Sequence, residues 1–160
     1  MNRQLKFLPS ALFHYSFLTI ILVSLTITAC ATPKVRMYSG EEVEASKQAV
    51  IRVHQREDSW GKLGITHVDG NITVNFFTYF FNGGKWAGEV YVIPGKHKIQ
   101  AKIEYPLSFA YSKMWLVAEP GETYILKALS KGYAVNMWLE NERTGQPVGG
   151  FVGSDDEPKE

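Results

Sequence analysis

The sequence predicts an all-β domain, a single small β-sandwich, set behind an N-terminal leader. Short segments alternate apolar with polar side chains, the period of a strand that buries one face. Glycine (14) and proline (7) recur at short intervals in the 160 residues, and 13% of the chain is aromatic. That texture belongs to short strands and tight turns rather than to a helical bundle.

The leader is residues 1–29. Arg3 and Lys6 precede a mostly apolar run from Ala11 to Thr28, and no Asp or Glu occurs before Glu41. A basic start followed by an apolar stretch is the layout of a secretory signal. A spanning helix needs about 20 apolar residues, a length this run approaches, so the residues at its end decide. Leu25-Thr26-Ile27-Thr28-Ala29-Cys30 places an aliphatic residue three positions before a cysteine and small residues directly before it. This resembles the lipobox of bacterial lipoproteins. The resemblance implies cleavage after Ala29 and acylation of the Cys30 thiol through a diacylglyceryl group. Cys30 is the only cysteine, so the chain cannot form an internal disulfide. Buried acyl methylenes contribute about 0.8 kcal/mol each and two chains suffice for stable anchoring, so the mature chain is expected to be anchored rather than spanning. In Gram-negative lipoproteins an Asp straight after the cysteine favours inner-membrane retention. Ala31 stands there instead, which implies the inner leaflet of the outer membrane, facing the periplasm.

Residues 30–46 read as the lipidated cysteine and a tether, with Pro33 and closing charges, although Val35–Tyr38 is a candidate edge strand. The sandwich is expected over residues 47–152. Ala49, Ile51 and Val53 alternate with Val50, Arg52 and His54, as in a half-buried strand. Glu57–Gly64 reads as a loop. Ile65–Val68 reads as a short strand ended by Asp69-Gly70, a strong turn dipeptide. Ile72–Phe81 is the most aromatic stretch and is expected to be a strand, with Asn82-Gly83-Gly84 turning the chain into a return strand over Trp86–Ile93. In such a strand Phe77, Tyr79 and Phe81 face opposite to Phe76 and Phe80, so rings line both sides and one side needs a cover.

The clearest alternation follows. His97, Ile99, Ala101, Ile103 and Tyr105 share one face, and Lys96, Lys98, Gln100, Lys102 and Glu104 share the other, which should be wet. Pro94-Gly95 and Pro120-Gly121 each favour a type II turn, because Pro presets the first turn position and Gly accepts positive φ at the second. Met114–Ala118, Glu122–Leu129 and Ala134–Glu140 are further strands, with Arg143-Thr144-Gly145 as a turn before a short Pro147–Val152 segment. The acidic tail, residues 153–160, has little to bury and is expected to be disordered. Eight or so strands at this spacing fit a sandwich.

Removing the leader leaves fifteen basic against sixteen acidic side chains. This near-neutral balance argues against nucleic acid or an anionic lipid surface as the main partner, since both demand clustered positive charge. The order Met37-Tyr38-Ser39-Gly40, Ala49-Val50-Ile51, Val68-Asp69-Gly70, Ile93-Pro94-Gly95-Lys96-His97, Pro120-Gly121-Glu122-Thr123-Tyr124 and Trp138-Leu139 resembles small envelope lipoproteins of Gram-negative bacteria. The Pro-Gly pairs, read as hairpins, are similar to the PEGA-type sandwich of bacterial surface proteins, an Ig-like architecture. Many such proteins have prolines soon after the Tyr-x-Gly, where this chain has Glu41 and Glu42. The resemblance brings no functional residues with it.

Signals for chemistry are weak. Ser59-Trp60-Gly61-Lys62 fits the Ser-x-x-Lys pattern of penicillin-recognising enzymes, and Arg143-Thr144-Gly145 is near its Lys-Thr-Gly partner. The remaining triplet, Ser154-Asp155-Asp156, lies after both instead of between them. His54, His67 and His97 lack the spacing that presets a metal site. The sequence therefore predicts neither enzyme, metal nor cofactor. The expected partners are the membrane, through Cys30, and an envelope protein on a recognition surface built from Phe77, Tyr79, Phe81 and Trp86. The alternative is a pocket near Phe77, Tyr79 and Trp86 for a small apolar or glycan ligand.

Overall fold

A computed structural model describes residues 34–54, 61–132 and 134–159. The chain divides into two units, Met1–Ala31 and Thr32–Glu160, and all described residues belong to the second. The leader and Cys30 lie outside the described residues, as do Ser59 and Trp60 of the Ser-x-x-Lys pattern.

Two sheets face each other across one apolar core. The first contains β1 (Lys34–Arg36), β2 (Ala49–Val53), β5 (Glu89–Val92), β8 (Thr123–Lys131), β9 (Ala134–Asn141) and β10 (Pro147–Val148), in the order β1-β5-β2-β8-β9-β10. The second contains β3 (Lys62–Val68), β4 (Asn71–Ile72), β6 (Gly95–Glu104), β7 (Phe109–Ala118) and β11 (Gly150–Phe151), in the order β11-β7-β6-β3-β4. The single α-helix among the described residues, α1, is Phe76–Phe81. The period-2 patterns fill the space between the sheets. Ile51, Val90, Leu126 and Leu139 come from the first sheet and Ile65, Ile99, Ala101 and Leu116 from the second, all at most 1% exposed. The fold is thus an all-β sandwich.

Connections depart from the sequence expectation in an instructive way. Pro94-Gly95 and Pro120-Gly121 are not hairpins within a sheet. Each carries the chain from one sheet to the other, β5 to β6 and β7 to β8. The hairpins are instead β6–β7, through residues 105–108, and β8–β9. Asp69-Gly70 does close a hairpin, with φ of 51° and 80°, the positive pair that a tight right-twisted turn demands. Arg143-Thr144-Gly145 likewise turns β9 into β10.

The strand register fixes the two ends of the sandwich. β1 runs parallel to β5 with Lys34 opposite Glu89, and β2 runs antiparallel to β5 with Arg52 opposite Glu89. The starts of β1 and β5 therefore share one end with the finish of β2. Lys62 opposes Glu104 and Tyr105 Oη meets Ser130 Oγ, so the β6–β7 and β8–β9 turns lie at that same end. Both Pro-Gly corners lie at the other.

Two further expectations change. The candidate edge strand falls at Lys34–Arg36, inside the stretch read as a tether, so only residues 31–33 separate Cys30 from the sheet. The tail, expected to be disordered, folds back on the second sheet as far as Pro158, whose carbonyl accepts from Lys96 Nζ. Lys96 Nζ lies 3.0 Å from Glu157 Oε1, and Gly153 N donates to Glu157 Oε2 at 2.7 Å. Glu157 finds a partner because the outward face of β6 carries lysines.

Candidate functional site

The aromatic segment is a helix, and this overturns the expected strand. Asn75 caps it, its side chain accepting from Thr78 N at 2.9 Å. Asn82 N donates to Thr78 O and Gly84 N to Tyr79 O, closing the last turn before Gly83 and Gly84 at positive φ. The Asn82-Gly83-Gly84 triplet stops a helix rather than turning a hairpin. β4 ends at Ile72, leaving no strand for Phe76–Phe81 to pair with, and the high strand propensity of aromatic residues reflects fit to a pleated neighbour rather than a backbone preference.

This changes which rings point where. Tyr79 is the inward residue: its ring meets that of Trp86 with centroids 4.6 Å apart, and its hydroxyl donates to Glu104 Oε2 at 2.9 Å. Phe76, Phe77, Phe80 and Phe81 are between 69 and 80% exposed. They touch one another, Phe76 stacking on Phe80 at 6.5 Å and the neighbouring pairs meeting edge-on. Of the four expected surface residues, Phe77 and Phe81 belong to the exposed face. Tyr79 and Trp86 form the foot that holds it.

The foot stands on the outward face of β6, which is therefore less wet than its sequence implies. Gly64 makes room for Trp86: a Cβ there would lie 2.4 Å from the Trp86 Cβ. The Lys102 ammonium sits over the rings of Trp86, Phe109 and Tyr111 at 5.0–5.6 Å from their centroids and pairs with Glu104. Burial pushes the Glu104 carboxyl up, but Lys102 and Tyr79 together outweigh it and hold the group below its ordinary range. Trp86 Nε1 is buried without a hydrogen-bond partner. For Lys102 burial acts downward, and the bonds to Glu104 and Tyr111 leave it raised.

Sequence reasoning missed the extension of this surface. Leu107 in the β6–β7 turn is 99% exposed, Phe109 64% and Tyr111 52%. The available signal was Leu107 and Phe109 flanking a turn, where polar residues are usual. Beside them lies an open hollow of about 540 Å³ lined by Lys62, Glu104, Tyr105, Pro106, Leu107, Ser108 and Phe109. Phe77, Tyr79 and Trp86 do not line it, so the pocket expected at those three residues is not this hollow.

The histidines do not converge. His97 is buried at the far end of the sandwich, with Nδ1 2.7 Å from Asp69 Oδ2 and Nε2 2.7 Å from Ile93 O, while His54 is exposed and His67 lies on the outward face of β3. Among the described residues no group of three or more His, Cys, Asp or Glu side chains is placed to hold a metal ion. Among them, too, no helix is long and apolar enough to cross a membrane. No protein-family model matches the chain, and neither does any curated protein or solved structure.

Proposed function

We propose that this chain is a lipid-anchored envelope protein whose β-sandwich serves as a non-catalytic interaction module, with the phenylalanine face of α1 as its recognition surface. Cys30 carries the anchor, and the domain faces the periplasm from the inner leaflet of the outer membrane. The observation that carries this reading is the exposure of four adjacent phenylalanines on a helix capped at both ends and seated by Tyr79 and Trp86. Contiguous exposed apolar area of this kind marks an interaction site, and its rigid seat lowers the cost of ordering it on binding. The lipobox residues Leu25–Cys30 support the anchor.

The test has two parts in cells expressing the full chain. Metabolic labelling with a fatty-acid analogue should mark the wild type and not Cys30→Ser, and equal labelling of both refutes the anchor. Phe77→Ser with Phe81→Ser should abolish cross-linking through α1 while leaving the melt unchanged. A second reading, binding of a small apolar or glycan ligand, is favoured only by the hollow beside Phe109. It predicts that Phe109→Ala, and not Phe77→Ser, removes binding.

A further inference from the structure

We infer that the occupant of the α1 face is the bilayer that holds the Cys30 anchor, so that the aromatic helix is a second, interfacial contact of the domain with its own membrane. The inference rests on the lipid-anchor reading. Three independent features of the fold lead to it.

The first is where the chain enters. The parallel pairing puts Lys34 opposite Glu89, and Glu89 follows Trp86, on which Tyr79 of α1 stacks, by three residues. The anchored end of the chain and the aromatic helix therefore belong to the same end of the sandwich. Four Cα steps separate Cys30 from Lys34 and can span at most about 14 Å. An antiparallel β1 over the same residues would have put Lys34 opposite Tyr91 and led the chain in from the end that carries the Pro-Gly corners. A tether this short at this end keeps α1 within reach of the lipid surface.

The second is composition. Phe76–Phe81 carries no charge, and Leu107 and Phe109, both largely exposed, belong to the same end of the sandwich. Aromatic rings favour the headgroup level of a bilayer, and an apolar face can settle about 5–10 Å into that layer. The third is charge. Lys102 and Glu104 neutralise each other beneath the rings, and the mature chain is near neutral, so attachment by electrostatic attraction to anionic lipid is not what this surface is built for. Ring burial in a zwitterionic interface fits it. A protein partner would place complementary polar groups around the rings, whereas α1 offers only Asn75, Thr78 and Asn82.

Photo-cross-linking decides the matter. The full-length chain is expressed in bacterial cells with p-benzoylphenylalanine replacing Phe77, Phe81 or, at the opposite end, Glu119. Each membrane-extracted product is also reconstituted in phosphatidylcholine vesicles. Phospholipid adducts at 77 and 81 and not at 119, with a yield unchanged by added salt, are the expected result. Adducts at 77 and 81 to another protein or to a second copy, no lipid adducts there, or a lipid yield that collapses with salt would overturn it. Fatty-acid labelling of the same samples separates the two readings. Label with no lipid adducts sinks the docking and leaves the anchor standing. Lipid adducts without label sink the anchor and leave the docking face standing. Unchanged thermal melts of the three variants establish that each has folded.

Discussion

At the scale of single residues, α1 divides into side chains that stand in solvent and side chains that hold the helix to the sheet. Phe77 and Phe81 are mostly in solvent, so Phe77→Ser and Phe81→Ser should each move stability by no more than about 0.5 kcal/mol. Tyr79→Phe removes a hydrogen bond to a carboxylate and should cost about 1.5–3 kcal/mol, read as a shift in urea midpoint. Equal costs at all three positions would refute the division. The same cluster sets an acid dependence. Glu104 is held below its ordinary carboxyl range when folded, so it contributes stability above about pH 4.5 that is lost as pH falls through its lowered value. Glu104→Gln should therefore melt less steeply than the wild type as pH falls below about 4.5, and parallel profiles would count against the Lys102–Glu104–Tyr79 cluster. His97 is a different case. Its ring nitrogens meet the Asp69 carboxylate and the Ile93 carbonyl, each at 2.7 Å. His97→Ala removes both bonds and, at the roughly 0.5–1.5 kcal/mol that each contributes net, should cost about 1–3 kcal/mol.

At the scale of elements, what was legible in the sequence and what was not follow from where each signal comes from. The strands β2, β6, β8 and β9 were readable because a buried face imposes alternation directly on the residues, as in His97, Ile99, Ala101 and Ile103. Asp69-Gly70 was readable because its two positive φ angles select that dipeptide. The aromatic helix was not read, since six aromatic or β-branched residues favour a strand locally while the caps at Asn75 and Asn82-Gly83-Gly84 act through hydrogen bonds that a period-based reading overlooks. The Pro-Gly corners were read with the right turn residues and the wrong destination. A turn dipeptide specifies local backbone, not which sheet the next strand joins. Two glycines carry tertiary constraints of this unreadable kind. Gly64 seats Trp86 and Gly149, at φ 69°, lies so near β7 that a Cβ would come 2.0 Å from Trp115 O. Gly149→Ala meets rigid backbone and should cost at least the roughly 1–3 kcal/mol typical of overpacking. Gly64→Ala should lift Trp86 and with it the foot of α1, seen as a red shift of tryptophan emission, and an unchanged spectrum would argue against that seat.

At the scale of the whole molecule, the first strand links the sheet to the membrane reading, because β1 is both the outer strand beside β5 and the strand that follows Cys30, the residue proposed to carry the anchor. Its register with β5, the bond from Met37 N to Tyr91 O at 2.9 Å and that from Tyr38 Oη to Gln48 Oε1 at 2.9 Å stitch the N-terminal segment to the sandwich. Val35 and Met37 are partly buried against the core. Full burial of such side chains contributes about 1.5–3 kcal/mol each, so the partial burial of both contributes about 2–3 kcal/mol together. A domain of this size has about 5–15 kcal/mol in all, which the loss of β1 should reduce but not abolish. A chain beginning at Gly40 should therefore keep a strand-type circular dichroism spectrum and a cooperative urea transition at a lower midpoint than one beginning at Thr32. It should also self-associate at concentrations where the longer chain does not, since Glu89–Val92 becomes a free sheet edge. Equal midpoints for the two chains would mean that β1 is a passenger on the sheet, and the short tether inferred from its pairing would fall with it.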